Sequence, residues 1–115
     1  MLRIVMPRGD IRDVRFTVYD STGRVVSDID FDEIYVTVKA KPDKPDFLFQ
    51  KKLTDGSITK EDTGIYQFSI RPEDTNDLGF GSYPFDIELL YENVIKQTTL
   101  GSLEITPEVT FASNE

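Results

Sequence analysis

The chain of 115 residues contains no cysteine, no histidine and no tryptophan. Without cysteine there can be no disulfide, no thiolate metal site and no thiol nucleophile. Without histidine the usual general base near neutral pH is missing, and a hydrolytic triad cannot be assembled in its common form. Zinc would have to be held by carboxylates alone. The missing tryptophan removes the strongest platform for stacking on a sugar. No run approaches the ~20 consecutive apolar residues of a membrane-spanning helix. The opening "MLRIVMPRGD" carries Arg3 and Arg8 and has no apolar stretch of signal-peptide length. The expectation is a protein made and assembled in the cytoplasm, with no signal peptide. An enzyme is not expected.

Acid dominates what is present. The net charge is −8, and it is uneven: residues 1–60 carry +1 and residues 61–115 carry −9. Such a surface repels nucleic acid and anionic membranes, and no basic stripe offsets it. The length suits one domain with a single core that needs no covalent staples.

Period-two alternation runs through the chain, broken by turn residues about every ten positions. "DVRFTVYD" sets Val14, Phe16 and Val18 on one face. "EIYVTVKA" does the same with Ile34, Val36 and Val38, and "IYQFSIR" with Tyr66, Phe68 and Ile70. "SYPFDIELLY" lines up Tyr83, Phe85, Ile87, Leu89 and Tyr91. "FLFQKKL" (47–53) reads as a strand after the proline-rich loop "KPDKPD", and "EN" (92–93) as a hairpin tip. Pro72, Glu73 and Asp74 suit the start of one short helical turn. In "VIKQTTLGSLEI" the apolar parity shifts between Leu100 and Leu103, which predicts a bulge at Gly101. The fold class that follows is all-β, an antiparallel sandwich or small barrel of seven or eight strands with one short helical turn; the tyrosine motif and the family resemblance given below make the expectation an immunoglobulin-like antiparallel β-sandwich. It spans residues 1–106, and 107–115 form a C-terminal tail or linker.

Several stretches are candidates for chemistry. "SDIDFDEIYVTV" (27–38) places Asp28, Asp30 and Asp32 at the spacing with which a calcium loop begins. Counted from Asp28, however, position 6 is Glu33 rather than glycine, and position 12 is Lys39 rather than glutamate. Ile29 and Phe31 interleave with the acids, as they do where a loop pins apolar anchors under a sandwich edge. Asp86 and Glu88 have the residue types of a glycosidase pair. They also alternate with core positions, so they form the polar face of a strand. The tripeptide Arg8-Gly9-Asp10 matches an adhesion motif and serves equally well as a turn into the sheet. "DTGIYQF" (Asp62, Gly64, Tyr66) and "GFGSYPF" (Gly79, Gly81, Tyr83) both resemble the motif in which a tyrosine hydroxyl ties a loop to a late strand. Strand order favours Tyr83. Phe68 and Phe85 would fill the places where antibody domains carry their disulfide. Tyr19, Tyr35 and Phe80 are the aromatics expected to be exposed and to make protein contacts.

Taken in order, these segments resemble a family of small immunoglobulin-like β-sandwich proteins encoded in phage and prophage structural regions, including N-terminal modules of baseplate and tail-fibre proteins. The resemblance begins at "RGDIRDVRFTVYDSTGRVVSDIDFDEIYVTVKAK" and continues through "DGSITKEDTGIYQFSIRPEDTNDLGFGSYPFDIELLY". It closes with "LGSLEITPEVT", so that it covers residues 8 to 110. Where that family usually follows its Asp-apolar pair (here Asp28 and Ile29) with a small residue, this chain has Phe31. Either the local turn differs or Phe31 is a contact residue. The resemblance implies a non-enzymatic virion component assembled in the bacterial cytoplasm, with other virion proteins or further copies of itself as partners. It implies no cofactor, nucleic acid or membrane. The alternative is a carbohydrate- or surface-binding accessory module with a weak calcium site at Asp28, Asp30 and Asp32.

Overall fold

The computed structural model describes residues 2–19, 22–25, 31–92 and 94–107, with only the backbone of 94–96. Eight strands and one helical turn follow in the order β1 (Leu2–Pro7), β2 (Arg12–Thr17), β3 (Glu33–Val38), β4 (Phe49–Lys52), β5 (Ile58–Asp62), β6 (Ile65–Ile70), α1 (Pro72–Thr75), β7 (Gly81–Tyr91) and β8 (Val94–Thr106). They form a five-stranded sheet, β1-β8-β7-β3-β4, facing a three-stranded sheet, β2-β6-β5. The smaller sheet has the B-E-D order of the immunoglobulin fold. The larger has G-F-C with one further strand beyond C. The protein is an immunoglobulin-like β-sandwich.

Alternation builds the core directly, because every second side chain of a strand points the same way. Ile34, Val36 and Val38 of β3, Phe85, Ile87 and Leu89 of β7, and Leu103 and Ile105 of β8 are buried from one sheet. Tyr66, Phe68 and Ile70 of β6 and Ile58 of β5 meet them from the other. Each such side chain contributes about 1.5–3 kcal/mol by leaving water.

Three expectations need correction. The sandwich is not wholly antiparallel: β1 pairs with β8 in parallel, Leu2 opposite Gly101 through Pro7 opposite Thr106. The fourth strand is shorter than 47–53, since Phe47 and Leu48 stay exposed before β4 begins at Phe49. There is no bulge at Gly101, which stays in register opposite Phe85. The register shift lies between Leu89 and Leu90 instead. Gly101 is small because the Phe85 ring lies across it: three ring atoms come within 2.8 Å of where a β-carbon would stand. Leu100 breaks the apolar parity because it points out of the sandwich.

The two sheets are tied at one end through α1. Asp74 accepts a hydrogen bond from the backbone N–H of Arg71 at 2.9 Å and an ion pair from Lys51 of β4 at 2.7 Å. Thr75, fully buried, accepts the Gly9 N–H at 2.9 Å. Lys51 sits on the inward side of an edge strand, where a charge discourages uncontrolled strand pairing.

Candidate interaction surface

The outward face of the larger sheet is built in rows across the strands. Pairing sets Gln50, Thr37, Asp86 and Leu100 side by side, and Lys52, Tyr35, Glu88 and Thr98 form the next row. Gln50 donates from Nε2 to Thr37 Oγ1 at 3.0 Å. The Lys52 ammonium lies 5.8 Å from the centre of the Tyr35 ring. A half-open groove of about 360 Å³ crosses this face between Thr37, Lys39, Pro42, Pro84, Asp86 and Leu100. Leu100 is 62% exposed, the highest value among the large apolar side chains described.

Asp86 and Glu88 sit at the middle of this face. Partial burial pushes the Asp86 carboxyl above its usual range, against the pull of Lys39. Burial also raises Glu88, with the neighbouring Asp86 charge adding to it and Lys39 opposing. Two acids on one face of one strand, with Lys39 as the offsetting cation, supply charge and desolvation but no acid–base division of labour. The reading of the pair as a polar strand face describes this geometry.

The two tyrosine stretches behave differently. The Tyr83 hydroxyl donates to the Gly79 carbonyl at 2.6 Å, which pins the turn before β7. Gly81, with φ +135°, lets the chain enter the strand in a conformation closed to other residues. Phe85 follows Tyr83 by two positions, on the strand and at the spacing where antibody domains place their second cysteine. The partner cysteine of those domains belongs to strand B, which is β2 here. Val14 and Phe16 therefore occupy that side, and not Phe68, which lies on β6. Tyr66 is a core residue of β6, its ring 5.8 Å from that of Phe16. Gly64 forms the β5–β6 turn at φ +71° and accepts the Val18 N–H at 2.8 Å. Asp62 accepts the N–H of Thr63 at 2.7 Å within that turn.

Of the acidic stretch, Asp28 and Asp30 lie outside the described residues. The N–H of Asp32 donates to the Leu90 carbonyl at 2.9 Å. Among the described residues no group of three or more potential ligands could hold a metal ion. Phe31 is half-buried and meets the Tyr66 ring edge-on at 6.2 Å, so it packs on the core. The adhesion-like tripeptide is a turn: the Arg8 guanidinium stacks on Phe80 at 4.5 Å and its backbone N–H bonds to Thr106 O. Tyr19 and Phe80 are exposed, whereas Tyr35 is half-buried under Lys52. Sequence reasoning missed Leu100 as a surface residue. Its signal is the broken parity of β8, which reflects an outward leucine and not a bulge at Gly101.

No protein-family model and no curated protein sequence matches the chain. Among solved structures, an NK cell receptor described as a triggering partner in natural cytotoxicity is similar at 17% identity and a TM-score of 0.47, over 91% of this chain and 97% of that one. The immunoglobulin-like assignment rests on the strand order given above.

Proposed function

We propose that the protein is a non-enzymatic assembly module of a phage or prophage virion, in its tail or baseplate, and that it binds other virion proteins through the outward face of the larger sheet. The virion setting is supported by the sequence resemblance over residues 8–110. The observation that carries the contact is Leu100, the most exposed of the described large apolar side chains, beside a half-open groove that Pro42 and Pro84 also line and across from Asp86. An anchor of this kind, ringed by partly desolvated charge, is how small interfaces gain affinity and orientation together. Asp86 and Glu88 favour a partner that brings a cation or a hydrogen-bond donor to the groove.

The test is co-expression with the products of the neighbouring genes, followed by light scattering of the purified mixtures. A stable complex with a tail or baseplate protein is expected, weakened about tenfold or more by Leu100→Arg at an unchanged melting temperature. Neighbouring genes for polysaccharide use, or a complex indifferent to that substitution, would overturn the reading.

A further inference from the structure

The smaller sheet ends at β2, and among the described residues no strand lies beyond it. On that side a seam opens towards β1 of the other sheet, lined by Phe16, Ile87 and the exposed Leu2. The other edge strands carry features that obstruct pairing with a second chain. Lys51 points inward on β4, a register shift interrupts β5 between Lys60 and Asp62, and Pro7 closes β1. β2 has neither proline nor lysine and keeps an unbroken register with β6 from Arg12 to Thr17. Its outer edge is the one left ready to pair.

Which backbone groups face that edge follows from one hydrogen bond. The Val18 N–H bonds to the Gly64 carbonyl at 2.8 Å, in step with the β2–β6 register. An antiparallel ladder bonds at every second residue. Arg12, Val14 and Phe16 therefore direct their N–H and C=O groups to β6, and Asp13, Arg15 and Thr17 direct theirs outward. Among the described residues no backbone group bonds to those three.

We infer that β2 pairs with β2 of a second copy, antiparallel about a two-fold axis, so that the three-stranded sheets of the two molecules join edge to edge. Bonding between outward groups allows only odd-numbered residues to stand opposite odd-numbered ones. Within that restriction the charges choose the register. Asp13 opposite Asp13, or Arg15 opposite Arg15, brings like charges together on the axis. The register between these sets Asp13 opposite Arg15 at both symmetry-related positions, which is favourable twice over. It also sets the half-buried Val14 against its own copy on the axis, on the inner face. Arg15 does not have to surrender its present neighbours. It lies 3.5 Å from Gln67 Oε1 and 4.0 Å from Glu61 Oε1, with 63% of the side chain exposed, and a guanidinium has donors to spare. Asp13 accepts the Ser69 hydroxyl at 2.5 Å, and a carboxylate can accept further bonds. The choice of register rests on sign and position along the strand, which these contacts leave as they are. This self-contact is separate from the outward face, since Leu100 lies in the other sheet.

Sedimentation equilibrium on the full chain, from about 1 μM to about 1 mM, tests it; the upper range is needed because one strand pair is a small interface. Wild type is expected to approach twice the chain mass and to stop there. Asp13→Arg and Arg15→Asp each turn both facing pairs into like charges, and each is expected to raise the dissociation constant about tenfold or more. The two together in one chain recreate opposite charges in the same register and should restore the dimer. Amide exchange at Asp13 and Arg15 should slow as the dimer forms, which reads the outward N–H groups themselves. Leu100→Arg should leave the dimer unchanged, so that failure of this contact is distinguishable from failure of the outward-face reading. The inference is overturned by a wild type that stays monomeric or grows beyond a dimer, by single variants that assemble as wild type does, by a double variant no better than the single ones, or by unslowed exchange at Asp13 and Arg15.

Discussion

Tyr83, two positions before Phe85 on β7, and Gly101, opposite Phe85 on β8, show how single residues hold this fold. The Tyr83 hydroxyl fixes the turn at Gly79, so Tyr83→Phe is expected to cost about 1 kcal/mol, read as a lower urea midpoint at constant m-value. Gly101→Ala forces a methyl into the Phe85 ring and is expected to cost about 1–3 kcal/mol. The acids give a pH signature. Asp86 and Glu88 are raised in the folded state, so the fold binds more protons than the unfolded chain between the unfolded and folded pKa values. Their contribution to stability therefore falls as pH rises through that window. Asp86→Asn with Glu88→Gln should stabilise the protein at neutral pH, and the gain should vanish once wild type is protonated. Glu33 behaves oppositely. Burial raises it, but hydrogen bonds from the Thr54 hydroxyl and N–H and the Ile34 N–H outweigh burial and lower its pKa. Its stabilisation is present above the unfolded value and is lost as pH falls through the folded one, so Glu33→Gln should destabilise at neutral pH only. Urea midpoints across pH check both signs.

Among the elements, α1 contributes beyond its four residues by linking β4 to the end of β6. Asp74 serves both as the acceptor at the helix start and as the partner of Lys51, each side chain 12% exposed. Asp74→Ala leaves a largely buried ammonium without its partner and a backbone donor unmet. It is expected to cost about 2–4 kcal/mol, more than Lys51→Met, which keeps the stem packed. Urea denaturation of the two variants and their double mutant measures the coupling. What the sequence made legible at this scale was the inward face of β3, β6 and β7, because alternation of Ile34/Val36/Val38 and Phe85/Ile87/Leu89 is a local property. Two features were not legible for non-local reasons. β1 buries only Ile4 and Met6 and exists through its pairing with β8, a hundred residues away. The role of Gly101 depends on a ring from β7. At the candidate surface, the outward Asp86 and Glu88 could be read from alternation, whereas Leu100 needed the register of β8 before its broken parity could be read as exposure.

For the molecule as a whole, the two sheets leave unlike surfaces. The outward face of the larger sheet carries rows of polar and charged side chains with Leu100 and Val5 exposed among them, whereas the seam between β1 and β2 has an apolar floor of Phe16 and Ile87 under Arg3, Arg12 and Arg15. Strand alternation says which side chains point inward, but not which sheet each strand joins, so the seam could be seen only once β1 and β2 were placed in different sheets. If the outward face is the interface, Leu100 is covered when a partner binds. Hydroxyl-radical footprinting of the complex against the free protein reads this at the side chain itself. Labelling of Leu100 is expected to drop several-fold on binding while that of Tyr19 stays constant; equal labelling of Leu100 in both states would contradict the proposed interface.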